Sequence, residues 1–180
     1  QRRAGRILLV GRLVEKKGVS ILLEALRLLD EPGYELHIVG DGPLRTQLTT
    51  QAAGLRVNFV GALGREALAA EYGAASIAVF PSVAAASGDQ DGLPVSLLEA
   101  MSVGCAVVAS DLPGLRDAVE DGHSGLLTAP GSAEELAAVL GRLLGDPGLC
   151  DRLGAAAVVR AEAFSVEVIG GRYVALLDGL

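Results

Sequence analysis

The chain has 180 residues, the size of one domain, and 51% of them are apolar, enough for a packed core and too many for a disordered chain. Its formal net charge of −7 argues against nucleic acid as a partner, and no polybasic cluster marks a membrane surface. Aromatic residues are scarce and Trp is absent, so the core is expected to be aliphatic.

Short apolar runs alternate with helical stretches along the chain. Ile7–Val10 ends at Gly11, and 20–29 follows as a helix with Ile21, Leu22, Ala25, Leu26 and Leu29 on one face. Glu35–Val39 ends at Gly40, with a helix over 44–53; Val57–Val60 ends at Gly61, with a helix over 66–72. Ile77–Phe80 ends at Pro81, and after a long loop 94–103 reads as a helix opening with Pro in its first turn and stopping before Gly104. Ala106–Ala109 and a weaker run, Gly125–Thr128, complete six predicted strands. Ser132-Ala133-Glu134-Glu135 reads as a capping box opening a helix to Leu144, and 149–164 and 165–180 read as two last helices. Alternation at this spacing predicts a Rossmann-like α/β domain: an all-parallel, about six-stranded sheet with helices on both faces. Ligands of such sheets bind beyond the carboxyl ends of the strands, so the loops after the strands carry the candidate chemistry.

The longest apolar runs are of strand length, none is long enough to span a bilayer, and no signal peptide is read. Cys105 and Cys150 fit neither a metal spacing nor a disulfide framework and point to a reduced, cytosolic protein. A first residue Gln1 rather than Met is expected of a segment cut from a longer protein.

In the first loop, Gly11 to Gly18, Arg12 directly follows the strand and Lys17 precedes the helix. A guanidinium and an ammonium at a helix N-terminus suit a diphosphate, Arg12 as a bidentate donor and Lys17 as a point charge; the alternative is a solvated basic loop. The second loop, Gly40-Asp41-Gly42-Pro43-Leu44-Arg45, imitates a dinucleotide fingerprint but places Arg45 where the third glycine belongs, and it reads better as a tight turn into a helix. The fourth, Pro81 to Gly92, is long enough to be functional and leads into Leu93-Pro94-Val95-Ser96-Leu97-Leu98-Glu99. Asp91 can face a ligand from this loop or simply complement a helix start. The N–H groups of Leu93, Val95 and Ser96 are candidate free donors, and Glu99, flanked by Leu97, Leu98 and Met101, is expected to need a partner or a ligand.

Asp89-Gln90-Asp91 could hold Mg²⁺ or Mn²⁺, but a glycine-rich acidic loop accounts for the tripeptide, and no metal is expected. His37 falls in a strand and is expected in the core or at an edge. His123 falls in a turn, and neither histidine has a Ser or Cys partner at the spacing of a hydrolase triad.

At these loops the sequence resembles the family-4 group of retaining glycosyltransferases, which have the two-domain GT-B fold. The resemblance covers nearly the whole chain and rests on 10–18 (VGRLVEKKG), 39–43 (VGDGP), 59–61 (FVG), 92–101 (GLPVSLLEAM) and 120–127 (EDGHSGLL), in that order. It implies that the chain is the C-terminal, donor-binding domain and that an N-terminal acceptor domain is absent from it. Arg12 and Lys17, with Gly11 beside them, would neutralise the donor diphosphate. Glu99 would hold the ribose, Asp91 would contact the transferred sugar, and Val60, Gly61 and Leu63 would lie along the base. Gly92, Leu93, Val95 and Ser96 would bind the sugar and distal phosphate through backbone N–H groups. The family usually has Glu where this chain has Asp91, an arm about 1.5 Å shorter. The donors would be UDP-, GDP- or ADP-sugars, UDP favoured, with no metal or other cofactor.

The mechanism implied is transfer with retention, charge on the leaving diphosphate being stabilised by Arg12, Lys17 and the helix N–H groups, while Asp91 orients the sugar. The acceptor is expected to come from the missing domain, through which alone the protein would touch a membrane, and the loop around Asp91 looks most like bacterial members that build surface polysaccharide. The rivals are another GT-B enzyme, such as a nucleotide-sugar epimerase or a phosphorylase, a non-catalytic nucleotide-sugar-binding module, and a plain NAD-binding domain, which the failed fingerprint disfavours. The last predicted helix, 165–180, is expected to cross onto the missing domain.

Overall fold

The apolar runs pair into one sheet in the computed structural model of the chain, which describes residues 3–29, 31 and 33–170. Among these residues the strands are β1 (Arg6–Val10), β2 (Glu35–Val39), β3 (Val57–Gly61), β4 (Ile77–Phe80), β5 (Ala106–Ser110) and β6 (Leu126–Thr128). All pairings are parallel, in the order β3-β2-β1-β4-β5-β6. The helices are α1 (Val19–Leu28), α2 (Arg45–Gln51), α3 (Arg65–Ala74), α4 (Val95–Ser102), α5 (Pro113–Arg116), α6 (Ala133–Gly145) and α7 (Pro147–Glu162).

Strand side chains alternate between two cores. Ile7 and Leu9 pack with α1 and α6 on one face, whereas Leu8 packs with α3 and α4 on the other. Burial on both faces is why β1, β4 and β5 read as nearly continuous apolar runs, whereas the edge strand β3 is only half-buried and exposes Asn58. Cys150 lies in the first core and Cys105 in the second. No helix among the described residues is long and apolar enough to cross a membrane.

The chain builds outward from β1 to β3, then returns to place β4 on the other side of β1. The boundary between β1 and β4 is thus the switch point of the sheet, the usual ligand position in open α/β sheets.

The local differences from expectation have physical causes. Pro94 is the N-cap of α4 rather than its first residue, with ψ 132, because the extended backbone continues from the loop. Helix α7 opens earlier than expected, at Pro147, because the Asp146 side chain accepts a bond from Leu149 N at 2.9 Å; Phe164 falls in the turn after it. The Ser132 capping box is half made: Ser132 Oγ accepts from Glu135 N, but the Glu135 carboxylate accepts from Ala129 N at 2.8 Å instead of reaching back to Ser132. Helix α5 and a 3₁₀ turn at Glu15–Lys17 are too short for any hydrophobic period to mark them. Of the last predicted helix, residues 166–170 are helical and expose Val166, Val168 and Ile169; 171–180 lies outside the described residues.

Candidate functional site

Two loops, far apart in sequence, meet at the switch point. Gly18 closes the first with φ 61, and a Cβ there would stand 1.7 Å from the Pro81 carbonyl oxygen, so only glycine lets the two loops touch. Val83 N donates to Lys16 O at 2.9 Å and Ala86 N to Glu15 Oε1 at 3.1 Å, tying the β4 loop to the 3₁₀ turn. On its other side the Arg12 loop is braced by the Gly40–Arg45 turn: Leu13 N donates to Asp41 O and Leu44 N to Leu13 O. That turn has the structural role its failed fingerprint implied.

The charged groups of this junction are mostly engaged with one another. Lys17 Nζ lies 2.8 Å from Asp91 Oδ2, and the same oxygen accepts a bond from Ser82 Oγ at 2.7 Å. Lys16 Nζ lies 3.9 Å from Asp91 Oδ1 and 3.0 Å from Asp89 Oδ2. The Asp91 side chain is only 7% exposed, so its charge is withdrawn from water and held by two ammonium groups and a hydroxyl. Both carboxylates of Asp89-Gln90-Asp91 thus face lysines. Arg12 is exposed, and its guanidinium makes no hydrogen bond or ion pair among the described residues. Lys17 and Asp91, each read from sequence as facing a ligand, face each other here. Lys16 and Ser82 went unread because nothing in their local sequence marks them as partners of Asp91.

Helix α4 starts beside this cluster. Gly92, Leu93 and Val95 are exposed and Ser96 is half-buried. The N–H groups of Leu93, Val95 and Ser96 have no acceptor among the described residues, as expected of donors at and just before a helix start. Gly114 in α5 was also missed: a Cβ there would meet the Gly92 carbonyl carbon at 2.5 Å and Leu93 N at 2.9 Å, so the Gly92–Leu93 peptide rests directly on it.

Glu99 is exposed, although Leu97, Leu98 and Met101 flank it in sequence. Helix α4 turns Leu97, Ala100 and Met101 into the core and leaves Glu99 outward. It does have a partner: the buried Tyr72 donates its hydroxyl to Glu99 Oε2 at 2.9 Å. Burial, and then the hydrogen bond to Glu99, push the Tyr72 phenol far above its ordinary value, so it stays protonated and acts as a donor. Val60 and Leu63 are half-buried around the end of β3, and Gly61 O accepts from Gly40 N at 2.8 Å. The β3 loop stands two strands, about 10 Å, from the Arg12 loop along the same carboxyl edge.

His37 is buried on β2 in a charge network: Arg6 Nη2 lies 2.7 Å from its Nδ1, Glu71 Oε2 3.1 Å from Nδ1, and Glu35 Oε1 3.1 Å from Nε2. His123 is exposed in its turn, with its N–H bonded to Glu120 O.

Residues 4–146 match the family described as glycosyl transferases group 1. The chain is 42% identical over 144 residues to the amylovoran biosynthesis glycosyltransferase AmsK of Erwinia amylovora, covering 77% of this chain and 35% of that protein. It is 36% identical over 137 residues to a putative colanic acid biosynthesis glycosyltransferase, WcaL, of Escherichia coli, covering 73% and 34%. The chain thus spans about a third of the length of these relatives. Its fold superposes with a TM-score of 0.84 on the crystal structure of Anabaena HepE in complex with UDP, at 26% identity, covering 98% of this chain and 49% of that one. The matched span includes the Arg12 loop, the Asp91 loop and α4, and on this agreement of sequence and fold the chain belongs to the group 1 glycosyl transferases.

Proposed function

We propose that this chain is the donor-binding half of a retaining glycosyltransferase that moves a sugar from a nucleoside diphosphate to a growing surface polysaccharide. The observation that carries the reading is the junction at the β1–β4 switch point, where Lys17 of the first loop meets Asp91 of the fourth, with Arg12 on the first loop and the Leu93, Val95 and Ser96 N–H groups at the start of α4 left unpaired among the described residues. Cations and helix-start donors suit a diphosphate. Arg12 takes it, Lys17 turns part of its charge from Asp91 to the phosphate, and the Leu93, Val95 and Ser96 N–H groups take the distal oxygens. As the sugar–phosphate bond breaks, these donors stabilise the charge left on the diphosphate. Asp91 keeps an oxygen for a sugar hydroxyl, Glu99 holds the ribose, and Val60, Gly61 and Leu63 line the base. The acceptor is bound by a further domain, and no metal takes part. The UDP held by HepE and the polysaccharide roles in the relatives' names support the donor class and the product class.

Calorimetry of UDP, GDP, ADP and NAD with and without Mg²⁺ tests this. One nucleoside diphosphate should bind without metal and lose about a hundredfold or more in affinity in Arg12→Ala/Lys17→Ala, since two charged hydrogen-bonding groups are removed. Undiminished binding by that double variant would remove the reading.

A further inference from the structure

We propose that Tyr72 is a positioning residue for donor binding, acting through Glu99. The inference rests on the ribose role given to Glu99 above.

Tyr72 is the buried residue of α3, with 4% of its surface exposed. A phenylalanine would fill the same space in the core, so packing does not explain the hydroxyl. That group reaches two acceptors, both on α4: Glu99 Oε2 at 2.9 Å and Ser96 O at 3.2 Å. A phenol has one proton to donate, and the bond to the carboxylate is the shorter and is charge-assisted. Glu99 itself is exposed and forms no ion pair among the described residues, so without Tyr72 its side chain would range freely over the helix surface. Fixing it beforehand lowers the entropy lost when a ligand hydroxyl pair docks on it.

The hydroxyl uses one lone pair of Oε2. The remaining acceptor positions of the carboxylate are enough for two adjacent ribose hydroxyls. Ser96 O gives the Tyr72 proton a second acceptor when Glu99 shifts toward a ligand, so the phenol is not left unpaired in the core. Through Tyr72 the helix that follows the base loop also sets the carboxylate on the helix that opens at the diphosphate, which links the two ends of the proposed site.

The test compares UDP, GDP and ADP with inorganic pyrophosphate on wild type, Tyr72→Phe, Glu99→Ala and the double variant. Tyr72→Phe should weaken the nucleoside diphosphate that wild type binds by about tenfold, the worth of one charge-assisted bond, and leave pyrophosphate affinity unchanged. In the Glu99→Ala background, where the hydroxyl has no side chain left to hold, it should cost nothing further, because a residue that acts through another has no separate effect. Equal losses for nucleotide and pyrophosphate, or losses that add in the double variant, would mean that Tyr72 only holds α3 to α4 and would overturn the inference. So would unchanged nucleotide binding by Tyr72→Phe while Glu99→Ala loses it, an outcome that leaves the donor-site reading standing. If Glu99→Ala also binds as wild type does, the ribose role of Glu99 falls, and the inference with it.

Discussion

Lys17 and Asp91 lie 74 positions apart in sequence, yet Lys17 Nζ sits 2.8 Å from Asp91 Oδ2. The cation proposed for the diphosphate is therefore already matched by an internal anion, and an incoming phosphate competes with Asp91 for it. Asp91→Asn should raise the affinity for a free nucleoside diphosphate several-fold, because the competing charge is gone while its shape is kept. The same variant should lose any preference for a nucleotide sugar over the bare nucleotide. Calorimetry with both ligands reads the two effects; weaker binding of the bare nucleotide would contradict the competition.

Arg12 and Lys17 should separate when stability is measured beside affinity. Arg12 is exposed and unpaired among the described residues, so Arg12→Ala should change stability by less than about 0.5 kcal/mol while weakening nucleotide binding. Lys17→Ala leaves the 7%-exposed Asp91 side chain with one of its two ammonium partners, and should cost about 1–3 kcal/mol. Urea denaturation of both variants checks this.

Gly114 supports the α4 entrance without being able to touch a ligand through a side chain. Gly114→Ala places a methyl 2.5 Å from the Gly92 carbonyl carbon, so the loop must move away. A stability loss of about 1–3 kcal/mol is expected, as for other overpacked sites. Nucleotide-sugar affinity should fall at least tenfold, since the Leu93 N–H is carried off with the loop. Binding at wild-type strength would show that this peptide is not part of the site.

At the amino end of β2, the hydrogen bond from His37 holds the Glu35 carboxyl below its ordinary value of 4.5. A lowered folded-state value means that the ionised form favours the folded chain. Its contribution is complete above pH 4.5 and disappears as the pH falls through the lower folded-state value. Thermal melts at pH 6 and pH 3 should show a smaller acid-induced drop for Glu35→Gln than for wild type. The difference is small, because the Glu35 side chain is 54% exposed and screened by water.

Much of the fold was legible because its signals are local. Strands buried on both faces need nearly continuous apolar runs, and β1, β4 and β5 appear in the sequence as such, while β2 carries His37 and the half-buried edge strand β3 the exposed Asn58; all six are bounded by Gly, Pro or Ser within a residue or two of where they end. Helix α5 was not legible, since four residues, Pro113–Arg116, carry no period. Glu99 was legible only in part: its apolar neighbours imply a partner or a ligand, but not that a turn of 3.6 residues sends Glu99 out while Leu97 and Met101 go in, nor that the partner is Tyr72.

By itself, then, the sequence determined the alternation of strands and helices and the loops in which Arg12, Lys17 and Asp91 stand, because periodicity and turn chemistry act between near neighbours. Only the tertiary structure decided the partners. The strand order sets β4 beside β1, and with it Asp91 and Ser82 beside Lys17, Gly114 beneath Gly92, and Tyr72 beneath Glu99. These contacts join residues from separate elements, and no local pattern encodes which elements will become neighbours once both faces of the sheet are covered.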